Sequence, residues 1–278
     1  MAPSAWNGAD FLAATLLSAE GRWPEDVSIW RLDLPLSYDC PRERNQVAAC
    51  YAGLDAAERS RADRYRVVGE RIRFVITRAT LRQVLGAQTG VPASAIHFTT
   101  IRNGRPALFD YPGLSFNVSH AGDHALIALS HHRVVGVDIE HINVETNWQS
   151  LVDIVCSERQ REQLRTAPGT FADARSAAYQ RSRFFQCWTA KEAILKALGI
   201  GLTDHLPRID FSLDAMGVQH PVSSEPGLST ELAKEVDKEA NKEAAGLSFH
   251  WLTDIDGYIG CIAYSNAVAH VAAGTAVG

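Results

Sequence analysis

HALIALS (124–130), HHR (131–133) and VVGVDIE (134–140) form the stretch whose reading decides the fold. Two nearly continuous apolar runs flank a short polar break. They read as β-strands joined by a hairpin, with Ser130-His131-His132-Arg133 as its loop. The two loop histidines are expected to be merely exposed. Alternate side chains of a strand face opposite ways, so Asp138 and Glu140 share one face while Val137 and Ile139 share the other. Two neighbouring carboxylates on a mostly apolar strand repel each other and are costly to bury. A divalent cation resolves that conflict, and oxygen-only ligands favour magnesium, manganese or calcium. A strand end emerging into solvent resolves it equally well.

Upstream lies FNVSH (116–120). Adjacent residues of an extended chain diverge, so Ser119 and His120 are not placed to act as nucleophile and base, and no G-x-S-x-G elbow is present. His120 reads as a donor to an anion or as a satisfied structural histidine. Residues 55–86 read as one helix with an apolar face through Ile72, Val75, Ile76, Ala79 and Leu81, stopped by Gly86. An extended piece at Ile96–Ile101 leads into a turn at Asn103-Gly104-Arg105-Pro106. Phe11–Ala19 is expected to be a short N-terminal helix, since no Lys or Arg precedes it and it is too short to span a bilayer. With no signal peptide evident, the expected location is the cytoplasm, with no membrane association.

Downstream, residues 141–182 are expected to be partly helical around CSERQREQL, and Phe184–Leu198 to form a firm helix stopped by Gly199 and Gly201. Candidate strands follow at Ile209–Leu213, Leu247–Thr253 and Tyr258–Tyr264, with Asp256-Gly257 as a hairpin turn. Between them, Ser223–Ala245 is rich in Glu, Lys and Ala. Its Glu235/Lys238 and Glu239/Lys242 pairs at i,i+3 mark a solvated helix or a disordered excursion, not a site. Helix and strands thus occur twice. This is the pattern of an α+β fold in two similar halves, residues 1–135 and 136–278, the second carrying a charged insertion at about 223–245.

On the 184–198 helix, Trp188, Glu192 and Lys196 are spaced i, i+4, i+8 and form one stripe, with Ile194, Leu195 and Leu198 packing inward. Such a Glu/Lys pair is often no more than a helix-stabilising ion pair. Composition weighs against that reading here: of 27 basic residues 22 are Arg and five are Lys, and none of the lysines precedes Lys191. Where a chain uses Arg almost everywhere, two close lysines point to a need for a compact ammonium. The net charge of −5 argues against a nucleic-acid partner. Five cysteines without a C-x-x-C pair read as reduced thiols rather than a disulfide framework or a zinc site.

N-x-S-H, then V-G-x-D-x-E, then W-T-x-K-E-A-x-x-K-x-x-G-x-G-L occur in that order at 116–140 and 184–202, with weaker matches at 64–82 and at Gly104-Arg105-Pro106. Together they resemble the phosphopantetheinyl transferases of the surfactin-synthetase-activator type. The resemblance implies a monomer of two α/β halves related by a pseudo-twofold axis. It also implies transfer of the 4'-phosphopantetheine arm of coenzyme A to a serine of an apo carrier protein, with magnesium or alternatively manganese. By the same resemblance, Asp138, Glu140 and Glu192 hold the metal. Glu192 also takes the serine proton, and Lys196 contacts the phosphate being transferred. His120, Ser119, Arg73, Arg105, Pro106, Lys191 and Lys196 are the implied coenzyme A contacts. Arg105 departs from the commoner Gly-Lys-Pro. A non-catalytic coenzyme A or carrier-protein binder and another metal-dependent phosphodiesterase are the competing readings of the same residues.

Overall fold

A computed structural model of the chain describes residues 14–35, 40–101, 104–143, 145–165, 174–199, 206–213, 222–223 and 246–266. Its strands are β1 (Ala14–Leu16), β2 (Val27–Asp33), β3 (Phe98–Thr100), β4 (Pro106–Leu108), β5 (Ser115–Ala121), β6 (His124–Ser130), β7 (Val135–His141), β8 (Ile209–Asp210), β9 (Val222–Ser223), β10 (Leu247–Leu252) and β11 (Tyr258–Ser265). Its helices are α1 (Pro41–Ala52), α2 (Ala56–Asp63), α3 (Val68–Thr89), α4 (Val152–Val155), α5 (Glu158–Arg165) and α6 (Ala174–Leu198). The fold is α+β. No described helix is long and apolar enough to cross a membrane.

The hairpin predicted across residues 130–133 does not form. A strand has two hydrogen-bonding edges, and β2 and β5 already occupy both edges of β6 in a sheet ordered β1-β2-β6-β5. The hairpin partner of β6 is β5, turned at Gly122-Asp123, where Gly122 takes φ +51°. Strand β7 leaves for a second sheet, ordered β10-β11-β7, pairing Val135 with Tyr264 and His141 with Tyr258. The predicted turn at Asp256-Gly257 joins β10 to β11, with Gly257 at φ +75°.

The free edge of β7 is closed by side chains of β5 instead of a backbone ladder. Ser115 Oγ accepts from the Val135 N–H at 3.1 Å, and Asn117 Oδ1 accepts from the Val137 N–H at 3.1 Å. Two residues on, Ser119 Oγ donates to Asp138 Oδ1 at 2.8 Å. Period-two spacing puts all three on one face of β5, so the seam between the sheets is polar and bridged by side-chain hydrogen bonds.

The predicted 55–86 helix is two helices. A continuous helix would hold residues 58 and 82 about 36 Å apart, yet Glu58 is paired with Arg82 at 2.7 Å and also with Arg78. α2 therefore folds back on α3, opened by a capping box in which Asp55 and Glu58 satisfy each other's backbone N–H. Gly86 is not the stop. It lies inside α3, where a Cβ would stand 2.8 Å from the Val91 carbonyl, and the left-handed stop is Gly90 at φ +74°. The expected N-terminal helix is likewise replaced: Ala14–Leu16 form β1, paired to β2, and 17–19 are not helical. Of the 209–213 strand only Ile209–Asp210 is extended, and it pairs with β9. Gly201 and 224–245 lie outside the described residues.

Long helix α3 packs Ile72, Val75, Ile76 and Leu85 into a core with Leu32, Phe116, Ile127 and Leu129 of the first sheet. Long helix α6 begins ten residues before the predicted Phe184 and ends at Gly199, φ +67°. It packs Phe184, Ala190, Ala193, Ile194 and Ala197 with Phe249, Ile259, Cys261 and Ala263. Gly136 of β7 sets its approach. A Cβ there would overlap the Ala193 carbonyl and the Ala197 backbone nitrogen, so helix and strand touch backbone to backbone. That contact brings the polar stripe of α6 against the carboxylates of β7.

Candidate active site

Lys196 stands where the three elements meet. Its Nζ donates to Asp138 Oδ1 at 2.6 Å and to Ser119 Oγ at 3.0 Å, so β5, β7 and α6 each supply one member of a closed triangle. Around it opens a cleft of 310 Å³ lined by Val118, Ser119, His120, Asp138, Ile139, Glu140, Trp188, Glu192 and Lys196. Asp138, Glu140, Glu192, Lys196, Ser119 and His120 thus converge, as does the predicted stripe of Trp188, Glu192 and Lys196.

Three carboxylates face one ammonium, and the balance shows in their titration. Burial raises Asp138 even though Lys196 and Ser119 pull the other way. Glu140 is pushed up to about 7, first by burial and then by the Asp138 charge; Lys196 and a hydrogen bond with Trp188 oppose the shift. Glu192 is raised by burial and by Asp138. Two carboxylate oxygens, Asp138 Oδ2 and Glu192 Oε1, are buried without a hydrogen-bond partner. Unpaired buried acceptors of this kind are costly. Among the described residues, no three His, Cys, Asp or Glu side chains stand as a ready-made metal cage. What the cleft does present is an oxygen-only donor set with vacant lone pairs, which fits a hard divalent cation.

Arg73 of α3, another expected contact, is outside the cleft lining and lies against the Gly122 turn, near His120. Its Nε and Nη2 both donate to the Gly122 carbonyl, at 3.2 and 2.8 Å, and Nη1 pairs with Glu70 at 2.6 Å. His120 is lowered below the usual histidine value, first by burial and next by the charge of the neighbouring Arg73.

Three further expected contacts are not brought to the cleft. Lys191 is fully buried on another face of α6, where Nζ donates to the Val155 and Leu206 carbonyls at 2.6 and 2.8 Å. Burial lowers its pKa, and it ties two connecting segments to the helix. Lys191 and Glu192 are adjacent on a helix, so they point about 100° apart and only one can face the cleft. Arg105 donates to the carbonyls of Ala197 and Val135 and to Ser115 Oγ, at 2.7, 3.0 and 2.9 Å. It caps the C-terminal end of α6, where a cation complements the free carbonyls. Pro106 begins β4, outside the cleft lining. Two residues that the sequence reading did not assign to the site shape it: Asn117, which fixes the register of β7, and Gly136, which admits α6. The glycine inside an apolar strand was the available signal for close backbone approach.

Clustered carboxylates beside a single lysine form the kind of site that handles a phosphate undergoing transfer. A family model described as the 4'-phosphopantetheinyl transferase superfamily matches residues 134–247, and one described as 4'-phosphopantetheinyl transferase, N-terminal, matches residues 41–132. The chain is 33% identical over 192 residues to the 4'-phosphopantetheinyl transferase HetI of Nostoc sp., covering 68% of this chain and 75% of the relative. It is 33% identical over 199 residues to a phosphopantetheinyl transferase of Thraustochytrium sp., covering 69% and 67%. Against the 4'-phosphopantetheinyl transferase psf-1 of Bacillus pumilus it is 27% identical over 170 residues, covering 59% and 66%. The chain belongs to the 4'-phosphopantetheinyl transferase superfamily.

Proposed function

We propose that the protein transfers the 4'-phosphopantetheine arm of coenzyme A to a serine of an apo carrier protein, releasing 3',5'-ADP. The observation that carries the reading is the cleft itself. Lys196 is held against Asp138 and Ser119 beside two buried carboxylate oxygens that lack a partner. Asp138, Glu140 and Glu192 would hold magnesium, with manganese as the alternative. Bound there, the ion supplies charge neutralisation for the diphosphate. Lys196, a compact point charge, meets the phosphate being transferred and steadies charge on the leaving oxygen. Glu192 is raised above the usual carboxylate value and half-buried, which suits a group that accepts the carrier serine proton. His120, with Arg73 near it, holds the remaining phosphate charge.

The organisation proposed with it is a cytoplasmic monomer in two halves, 1–135 and 136–278, related by a pseudo-twofold axis. What supports the two-half reading is that each half packs one long helix, α3 or α6, on an antiparallel sheet.

Mass spectrometry of an apo carrier protein incubated with coenzyme A, magnesium and the enzyme tests the proposal. A phosphopantetheine adduct on the carrier serine, with stoichiometric 3',5'-ADP and loss of both on chelation by EDTA, is expected. Hydrolysis of coenzyme A without an adduct would establish a phosphodiesterase instead. Binding without any product would establish a non-catalytic binder.

A further inference from the structure

The two halves meet at a second place, one strand-turn away from the cleft. Tyr258, the first residue of β11, is 9% exposed, and its ring lies between His124 and His141, each 4.7 Å away between centroids. Its hydroxyl donates to Asp123 Oδ1 and accepts from the Asp123 N–H at 3.3 Å. The hydroxyl also fills the space that a side chain at residue 122 would need, so only glycine fits the turn opposite it. Thus a residue of the C-terminal half grips the β5–β6 turn of the N-terminal half through the backbone N–H and the carboxylate of Asp123.

That turn is what Arg73 leans on. The Gly122 carbonyl is the acceptor for both Nε and Nη2 of Arg73, a fork with one oxygen at its centre. Glu70 holds the remaining nitrogen, so the guanidinium orientation is set by the turn and by one exposed glutamate. His120 is the penultimate residue of the strand that runs into the same turn. A displacement of Gly122 therefore moves Arg73 and His120 together.

We infer that Tyr258 is a positioning residue. By fixing the Gly122-Asp123 turn it aims Arg73 and His120 at the phosphate-rich nucleotide end of the substrate, and so sets affinity for that end without touching it. The inference rests on coenzyme A being the substrate, and it adds to that reading a residue from the half that does not carry Arg73. The hydroxyl contributes through hydrogen bonds to one turn. Its removal is therefore expected to weaken nucleotide binding by roughly 3- to 10-fold and to leave the rate at saturation in place.

The test uses Tyr258→Phe, which keeps the ring between the two histidines. Calorimetric titration with 3',5'-ADP, which needs no carrier protein and no turnover, should show affinity lowered 3- to 10-fold while the melting temperature stays close to wild type. In carrier-protein assays KM for coenzyme A should rise by the same factor with kcat kept. With 3'-dephospho-coenzyme A, the penalty should shrink. A double-mutant cycle with Arg73→Ala separates positioning from general softening, since in the Arg73→Ala background Tyr258→Phe should lose most of its effect on nucleotide affinity, with only the His120 share remaining. Unchanged affinity in Tyr258→Phe, additive losses in the cycle, or a fall confined to kcat would each overturn the inference. So would a wild-type protein that does not bind 3',5'-ADP. Failure of the transferase reading appears elsewhere, as a wild type that binds the nucleotide but forms no holo-carrier.

Discussion

Gly136→Ala is the sharpest test of how the site is assembled. The added methyl would stand 2.9 Å from Ala197 Cα and closer still to the Ala193 carbonyl and the Ala197 nitrogen, all backbone atoms of α6. Ordinary carbon contacts begin near 3.5 Å, and no side chain is available to swing aside, so the helix must retreat by roughly 1 Å. Ala193 and Ala197 each follow a cleft residue, Glu192 and Lys196, on the same two turns of helix. The Lys196–Asp138 contact of 2.6 Å is therefore pulled apart by about the same amount as the backbone moves. Overpacking of this sort costs about 1–3 kcal/mol. A misplacement near 1 Å in a positioned phosphoryl-transfer site costs on the order of 100-fold in rate. Urea denaturation should show a lower midpoint with an unchanged slope, and initial rates of holo-carrier formation should fall far more than the folded fraction does. Wild-type activity and stability in Gly136→Ala would refute the close strand–helix approach as the element that assembles the site.

Glu192→Gln is expected to lower turnover by ~100-fold or more without lowering the melting temperature, since it removes a buried, repelled charge; near-wild-type rates would remove Glu192 from the proton-accepting role. Lys196→Arg should be impaired although charge is kept, because a planar fork cannot reproduce the paired contacts to Asp138 and Ser119, whereas Lys238→Arg in the charged run should be silent; equal rates in all three proteins would show that generic charge suffices. Asn117→Ala leaves the Val137 N–H without its acceptor and should destabilise the fold by about 1–3 kcal/mol in chemical denaturation. Glu140 sits at about 7 in the folded chain against an ordinary 4.5, so between those values the folded state keeps a proton that the unfolded state has released. Stability without divalent cations should therefore fall as pH rises from about 4.5 to 7, by at most ~3 kcal/mol, and Glu140→Gln should flatten that slope in melts taken across the range.

Much of the cleft could be read from spacing alone. Asp138 and Glu140 share a strand face, and Trp188, Glu192 and Lys196 share a helix stripe, because periods of 2 and 3.6 translate directly into direction. What spacing could not convey was which surface a helix turns toward its neighbour. Lys191 and Arg105 are cations satisfied by carbonyl oxygens, and a buried cation of that kind has no sequence signature, whereas an exposed anion binder is expected to look the same. The strand pairing was misjudged for a related reason. β5 carries Ser115, Asn117 and Ser119 at the seam, so its alternation is polar where a buried strand is expected to be apolar, and the neighbouring HALIALS and VVGVDIE runs looked like each other's partners. The split between α2 and α3 depends on the long-range Glu58–Arg82 pair, which local propensity does not encode.

Because β7 takes its backbone partner from β11, the carboxylates of the cleft lie on a strand that must wait for residues more than a hundred positions later in the chain. During synthesis the first sheet can close by itself, since β1, β2, β5 and β6 all precede residue 131. Asp138 and Glu140 cannot be held in place until β11 has emerged and passed alongside. Contacts this distant in sequence form slowly, after loop closure has been overcome. The order of events then guards against a half-made site: a chain stalled or cut before Tyr258 would carry every cleft side chain in its sequence and yet leave the strand that bears two of them without its backbone partner.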